Sequence, residues 1–148
     1  MRTALKVILI IGVCIVLLVG AAIGVGVYWW KYHSQEFIAA SRQAMDDGRE
    51  FGRQTDNEGC VTEAVARAKR EPGFSAALSR NLFLRACLEA SRESPGFCSA
   101  VPGRTEFMKT AAWQQQKCRE AGLAGDTYCT QMFTQVQQFC EAKQSKQQ

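Results

Sequence analysis

The chain has 148 residues, which is enough for one small domain and a membrane anchor but short for two full domains. Its formal net charge at pH 7 is +4, from 18 basic and 14 acidic residues. After residue 30 the two signs are interleaved and nearly balanced, with 16 basic against 14 acidic residues. Binding to nucleic-acid phosphates requires a concentrated basic face, so this pattern argues against a nucleic-acid partner.

The first apolar segment is long enough to cross a membrane. Residues 7–30 carry no charged side chain and have the sequence VILIIGVCIVLLVGAAIGVGVYWW. A helix of about 20 apolar residues spans the hydrocarbon core of a bilayer, and the aromatic residues 28–30 suit the level of the lipid headgroups. We therefore predict a transmembrane signal anchor over residues 7–30, in contact with membrane lipid, with residues 1–6 as a short cytoplasmic N-terminus.

A cleaved secretory signal is the alternative interpretation of the same segment. Arg2 and Lys6 supply a basic start, and Gly20-Ala21-Ala22 has the small residues of a cleavage site. However, the apolar core of such signals is only about 7 to 15 residues long. The apolar run continues well beyond that length, so the sequence favours an anchor that stays attached.

Small residues inside the predicted anchor offer a surface for another helix. Gly20 and Gly24 lie four positions apart, as do Ala22 and Gly26, and this spacing lets two membrane helices approach closely. We expect a homodimer through the membrane helix or docking onto another membrane protein, although membrane helices without such contacts are also rich in glycine. Cys14, in the same span, is expected to be an inert buried thiol; an intermembrane disulfide or acylation is the alternative.

Six of the seven cysteines follow the anchor, and they indicate where this part of the chain resides. They are Cys60, Cys87, Cys98, Cys118, Cys129 and Cys140. An even number of cysteines in a small domain indicates disulfides, three in this case, and disulfides persist only in an oxidising compartment. We therefore predict a location in the inner (plasma) membrane with the C-terminal domain outside the cytoplasm, in the periplasm if the source is bacterial.

The chain beyond the anchor has the periodicity of helices. Apolar residues recur at spacings of three and four, and no long Val/Ile/Thr-rich run alternates polar and apolar residues. We predict an all-α fold with a juxtamembrane helix and joint over 31–59, a disulfide-stapled helical domain over 60–142 and a disordered tail over 143–148. Helices of that domain are expected near residues 60–68, 75–91, 105–121 and 129–140, because Pro-Gly and glycine-rich breaks separate these segments.

Three local features refine these helices. Gly48 and Gly52 weaken the juxtamembrane helix, since glycine is a poor helix former. Residues 55–58 fit a capping box for the next helix. Phe107 and Cys118 share one face of the helix expected near residues 105–121, and we expect that face to be buried.

The cysteine positions predict a set of antiparallel helical hairpins. Residues at equal distances from an interhelical turn lie side by side in such a hairpin. Cys60 and Cys87 are placed in this way around the Pro72-Gly73 turn, and Cys118 and Cys129 around the next hairpin turn. The remaining two cysteines would meet at the open end of the last hairpin. Of the connectivities that six cysteines allow, we predict Cys60–Cys87, Cys98–Cys140 and Cys118–Cys129.

The sequence offers little support for catalysis or for metal binding. No two cysteines lie closer than eleven positions, so neither a close zinc-ligand pair nor a C-x-x-C redox motif is present. His33, the only histidine, is interpreted as an interfacial polar residue; a pH-sensing or catalytic role is the alternative. Asp46 and Asp47 are adjacent, so on a helix they point in different directions and are expected to be solvated. We predict no catalytic residue, metal or cofactor.

The remaining features favour a binding function. We predict a membrane-anchored extracytoplasmic binding or scaffold module, an accessory or assembly subunit of a membrane or envelope complex, with a protein partner. Trp113 is a candidate partner contact, and a core tryptophan is the alternative interpretation. An inhibitor or immunity-type protein acting on an extracytoplasmic toxin or enzyme is the alternative function. A small membrane-bound enzyme is a third, which would need a pocket gathering ionisable residues such as Glu63, Arg85 and Glu89.

Overall fold

The computed structural model describes residues 2–103 and 105–145, without the side chains of residues 2–10, 13 and 32–34. Helices form the regular structure of these residues, so the predicted all-α fold is confirmed. Their bounds are α1 Arg2–Gln54, α2 Asn57–Arg70, α3 Phe74–Ala90, α4 Phe107–Glu120 and α5 Cys129–Ser145. The chain divides into two compact units, Met1–Ala39 and Ala40–Gln148.

The first unit is the apolar part of α1. Over the 18 residues Cys14–Lys31 the mean hydropathy is 1.7, and none of these residues is buried against the rest of the described chain. By length and composition this segment can cross a membrane. A core helix of a soluble protein would be covered by other elements, whereas valine, leucine, isoleucine and tryptophan side chains are exposed all along this one.

The second unit packs two helical hairpins against each other. α2 folds back on α3 and α4 folds back on α5, while α3 and α5 form the contact between the two hairpins. The largest fully buried side chains that are not cysteines are Phe83, Leu84 and Leu88 of α3 and Met132 of α5. Burial of each such side chain stabilises a fold by roughly 1.5–3 kcal/mol relative to an exposed position. The core therefore lies along the contact between α3 and α5.

The last part of α1 belongs to this second unit and lies very close to α3. A Cβ placed on Gly52 would stand 2.5 Å from the carbonyl oxygen of Cys87 and 3.0 Å from the Cβ of Ala90. Gly48, one helical turn earlier, meets the main chain of Phe83 in the same way. From the sequence, these two glycines were expected only to weaken the helix. In the structure they allow two helix backbones to touch.

A buried asparagine ties the start of α2 to the segment that follows α3. The Asn57 side chain donates to the Ser91 hydroxyl at 2.8 Å and accepts from the Ser94 main-chain N–H at 3.1 Å. Its own main-chain N–H donates to the carbonyl of Arg92. Asp56 is the N-cap of α2, because its carboxylate accepts from the Gly59 N–H. The predicted capping box began one residue earlier, at Thr55, so that prediction was wrong by one position.

Three boundaries differ from the predicted ones. The second compact unit begins at Ala40, so residues 40–59 join the domain that was predicted to begin at residue 60. α4 begins at Phe107, whose side chain is exposed although a buried face was predicted for it. α5 continues to Ser145, three residues into the segment predicted as a disordered tail. Residues 146–148 of that tail lie outside the described residues, as does Met1 of the predicted cytoplasmic N-terminus.

Candidate functional site

All six cysteines that follow the apolar segment are paired, and the pairing is the predicted one. The Cα atoms are 5.8 Å apart in Cys60–Cys87, 5.4 Å in Cys98–Cys140 and 5.9 Å in Cys118–Cys129. The first disulfide joins α2 to α3, the second joins the segment after α3 to α5, and the third joins α4 to α5. Every helix of the two hairpins is therefore held by at least one covalent link.

These disulfides are parts of the packed core. Five of the six cysteines are buried, and Cys98 is partly exposed. Reactive cysteines occupy partly exposed, electropositive surroundings that raise the thiolate fraction. The observed burial instead suits a structural role, in which the links stabilise a domain whose core is small.

The small residues of the apolar helix present an open face. A Cβ placed on Gly20, Gly24 or Gly26 would meet no described atom within 4 Å, and Ala22 is exposed. Cys14 is a free, exposed cysteine on the same helix, so any burial of its thiol would come from lipid or from another chain. Space for a second helix is therefore available, and the helix contact itself stays a prediction.

Trp113 lies at the edge of the core. It is partly buried, and its ring meets the ring of Phe133 edge-on with the centroids 5.9 Å apart. Its indole Nε1 is buried and has no hydrogen-bond partner among the described residues. This packing favours the core interpretation of Trp113, and its role as a partner contact stays a prediction.

An exposed apolar pair stands at the start of α4. Phe107 exposes 78% and Met108 exposes 84% of its surface, the highest fractions among the large apolar residues described in the second unit. The flanking residues Glu106 and Lys109 form an ion pair at 2.5 Å. The hydrogen bond from Lys109, with a second from the main-chain N–H of Gly103, lowers the pKa of Glu106. Apolar side chains inside a charged rim resemble the anatomy of a protein interface.

Sequence periodicity missed this pair because it assigned Phe107 to a buried stripe. Among the described residues of α4, Cys118 alone is fully buried. The helix has few other large apolar side chains, and that low density was the available signal that its N-terminal end would lie outside the core.

The ionisable residues considered for an enzymatic pocket do not all come together. Arg85 and Glu89 form an exposed ion pair at 3.1 Å and line an open groove of about 470 Å³ between α3 and α5. Glu63 does not line that groove and instead pairs with Arg67 and Arg70 of its own helix, at 3.0 and 3.1 Å. An exposed pair such as Arg85–Glu89 contributes about 0–1 kcal/mol to stability.

Of the remaining polar candidates, Asp46 and Asp47 lie at the surface. Asp46 accepts a hydrogen bond from Arg49 at 2.8 Å on the surface. Asp47 is also exposed, as predicted, and lines a small open pocket whose wall includes Arg80. The side chain of His33 lies outside the described residues. Within the part of the chain that the structure describes, no group of three or more His, Cys, Asp or Glu residues could hold a metal ion.

Comparison with known proteins gives no information about function, so the function must be inferred from this chain's own residues. No protein-family model, curated protein or solved structure matches it. Two features of the described residues bear on function. One is an apolar helix that is uncovered along its length, and the other is a disulfide-linked domain with an exposed apolar pair at the start of α4.

Proposed function

We propose that this protein is a single-pass membrane protein whose disulfide-linked domain lies outside the cytoplasm and serves as a binding or scaffold module. In that role it is an accessory or assembly subunit of a membrane or envelope complex. The supporting observation is that one chain combines an uncovered apolar helix with three disulfides. The helix requires lipid around it, and the disulfides require an oxidising compartment.

The disulfides, more than the flanking charges, support this orientation. Arg2 and Lys6 precede the apolar segment, while Lys31 and Arg42 follow it. Basic residues on the two sides are therefore nearly balanced, and the positive-inside rule discriminates weakly. A cytoplasmic domain would be kept reduced, and its six cysteines would then lose the links that stabilise a small core.

A binding role is supported by the combination of a covalently held domain and the exposed pair Phe107 and Met108. Aromatic residues and methionine are enriched in protein interfaces. A domain that is already ordered pays little conformational entropy when it binds. Three links between its helices give this domain that order without a ligand.

Thiol accessibility in intact spheroplasts tests the location. A membrane-impermeant reductant followed by a membrane-impermeant maleimide should label the partly exposed Cys98 without permeabilisation. The Cys14→Ala variant should give the same labelling, since Cys14 lies in the span. Labelling that appears only after permeabilisation would place the domain in the cytoplasm and contradict the proposal.

Site-specific photo-crosslinking in native membranes tests the binding role. A photoreactive phenylalanine analogue at Phe107 or Met108 should yield one reproducible adduct, and the same analogue at the exposed Gln131 of α5 should not. A membrane-protein adduct supports the accessory-subunit role, whereas a secreted enzyme or toxin supports the inhibitor alternative. If positions 107 and 108 give no adduct, this surface does not bind a partner.

A further inference from the structure

The turns of the two hairpins lie side by side at one end of the second unit. The ring centroids of Phe74, at the start of α3, and Tyr128, just before α5, are 6.1 Å apart. The Lys69 ammonium group extends from the end of α2 towards the other turn, where it would stand 3.4 Å from a Cβ placed on Gly122. We call this surface the turn face; it consists of residues 69–75 and 117–128.

A buried ion pair and a disulfide hold the turn face in one arrangement. Arg80 of α3 exposes 3% of its surface, and its Nη2 lies 3.8 Å from Oδ2 of Asp126. The other Asp126 oxygen accepts from the Tyr128 N–H at 2.7 Å. The Cys118–Cys129 disulfide closes the same turn. The turn face is therefore ordered before anything binds to it, so binding costs little conformational entropy.

The tips of both turns are uncharged, and one of them carries an exposed aromatic ring. Residues 72–79 and 121–125 contain no Asp, Glu, Lys or Arg, whereas the segment 91–106, at the other end of α3, carries charges of both signs. Phe74 exposes 67% of its surface in spite of its contact with Tyr128. An exposed phenylalanine on an uncharged surface suits the boundary between lipid headgroups and acyl chains.

Basic side chains surround these tips. They belong to the last turns of α2 and α4 and include Lys69, Arg70, Lys117 and Arg119. Residues 69–71 and 117–120 carry four basic and two acidic side chains, so this rim has a net charge of +2. Lys69 and Arg119 are both exposed. A basic rim around an uncharged tip complements an anionic lipid surface, because Lys and Arg side chains are attracted to such a surface within about one Debye length.

The chain enters the second unit beside the turn face. Ala40, the first residue of this unit, lines the same small pocket as Glu71 and Ala76. Residues 31–39 connect Ala40 to the apolar segment, and a fully extended chain of about ten residues reaches at most roughly 36 Å. If α1 crosses a membrane as proposed, the turn face cannot move far from the lipid headgroups.

We propose that the turn face docks onto anionic phospholipid headgroups of the bilayer that holds the apolar helix. Phe74 enters the boundary between headgroups and acyl chains, while Lys69 and Arg119 contact the phosphates. This inference rests on the proposed membrane anchoring, but neither on the side of the membrane that the domain occupies nor on a protein partner. α4 is 14 residues long, which is roughly 20 Å. Docking through its last turn therefore leaves Phe107 and Met108, in its first turn, available to a partner.

Photo-crosslinking to lipid tests this docking on the purified full-length chain, with its disulfides intact, in lipid nanodiscs. A photoreactive phenylalanine analogue replaces Phe74, and mass spectrometry of the whole protein measures the yield of covalent lipid adduct. The discs contain either phosphatidylcholine alone or equal parts of phosphatidylcholine and phosphatidylglycerol. The yield at position 74 should increase about 10-fold with phosphatidylglycerol, because the attraction depends on anionic lipid. The same analogue at Phe107, another exposed phenylalanine at a helix start, is the matched control. It should give about 10-fold less adduct in the mixed discs, since it lies beyond the range of that attraction.

Removal of charge from the rim tests the role of its basic residues. Lys69→Gln with Arg119→Gln should reduce the adduct at position 74 by about 10-fold in the mixed discs, because both side chains are attracted to anionic lipid. Arg53→Gln with Arg92→Gln is the matched control, since it removes two exposed arginines that lie outside the turn face. The control should leave the yield unchanged.

Three outcomes would overturn the docking. They are equal yields at positions 74 and 107, a yield at position 74 that does not depend on phosphatidylglycerol, and a wild-type yield in the rim variant. In each of these cases the chain is incorporated into the discs, so the proposed membrane anchoring stands. A chain that does not enter the discs would contradict the anchoring itself, and the docking with it.

Discussion

Gly48 of α1 lies against the main chain of Phe83 of α3, so closely that a Cβ at position 48 would stand 2.3 Å from the Phe83 carbonyl oxygen. Cβ atoms do not approach carbonyl oxygens to that distance, so the two helices can cross here only because residue 48 is glycine. The first prediction is that Gly48→Ala destabilises the domain by about 1–3 kcal/mol, the usual range for overpacking. This loss exceeds the gain of roughly 1 kcal/mol that alanine offers in a helix.

Urea denaturation in detergent micelles, followed by circular dichroism, measures this difference. Gly125→Ala is the control, because a Cβ at Gly125 would meet no described atom within 4 Å. The control should be as stable as the wild type. A Gly48→Ala variant that matches or exceeds wild-type stability would show that α1 does not pack on α3 as described.

The three disulfides should stabilise the domain by different amounts, because they close loops of different length. Their sequence separations are 11 for Cys118–Cys129, 27 for Cys60–Cys87 and 42 for Cys98–Cys140. Loop-closure entropy predicts losses of about 3 kcal/mol for the shortest loop and about 4 kcal/mol for the longest when both cysteines become alanine. Denaturation of the three double variants measures which disulfide contributes most to stability. Cys14→Ala is the control and should leave stability unchanged. If the removal of Cys118–Cys129 causes the largest loss of stability, loop length does not determine how much each disulfide stabilises the domain.

Asn57 should be needed for the link between α2 and the segment after α3. Asn57→Ala removes the acceptor of the Ser94 N–H and the donor to the Ser91 hydroxyl. Leaving a buried polar group unsatisfied costs about 1–3 kcal/mol, so the free energy of unfolding should fall by that amount. Hydrogen exchange of the Ser94 amide should also accelerate, and the exposed substitution Gln115→Ala should change neither quantity. Unchanged exchange at Ser94 would mean that the amide is protected in another way.

Glu106 should titrate below its ordinary range because Lys109 donates a hydrogen bond to its carboxylate, with the Gly103 N–H adding a second. Since the folded pKa is lowered, the contribution of Glu106 to stability is complete above its unfolded pKa. It is lost as the pH falls through the folded pKa. Carboxyl NMR titration should show the pKa of Glu106 rising in Lys109→Gln. The pKa of Glu120, which is lowered chiefly by Lys117, should stay the same in that variant. An unchanged pKa of Glu106 in Lys109→Gln would contradict the ion pair between the two residues.

The open face of the apolar helix should be needed for helix association in the membrane. Gly20→Leu with Gly24→Leu fills that face, because a side chain there meets no described atom of the chain itself. We expect the double variant to insert normally and to lose crosslinked homodimer or its membrane-protein adduct by about 10-fold, since small residues permit close helix contact. Gly12→Leu, at another open position, is the control. Undiminished crosslinking would show that these glycines make no helix contact.

The local sequence pattern was enough to predict the features that depend on residues close together along the chain. The uncharged run over 7–30 is a property of consecutive residues, so the uncovered apolar helix was predictable without any packing information. The disulfide pairing followed from a similarly simple relation, since residues equidistant from a turn meet in an antiparallel hairpin. The Cα separations of 5.8 Å for Cys60–Cys87 and 5.9 Å for Cys118–Cys129 confirm that relation. Cys98–Cys140, predicted as the remaining pair at the open end of the last hairpin, is confirmed at 5.4 Å.

The tertiary structure decided which side chains face one another across helices that are distant in sequence. The sequence predicted only that Gly48 and Gly52 weaken their helix. In the structure they allow the close contact between α1 and α3. Phe107 has the spacing of a core residue but lies outside, because α4 buries only Cys118 fully. Arg80 gave no sequence signal, since periodicity records hydrophobicity but not which carboxylates surround a buried cation. Such relations arise only when non-local surfaces meet, and they hold the most specific evidence about function.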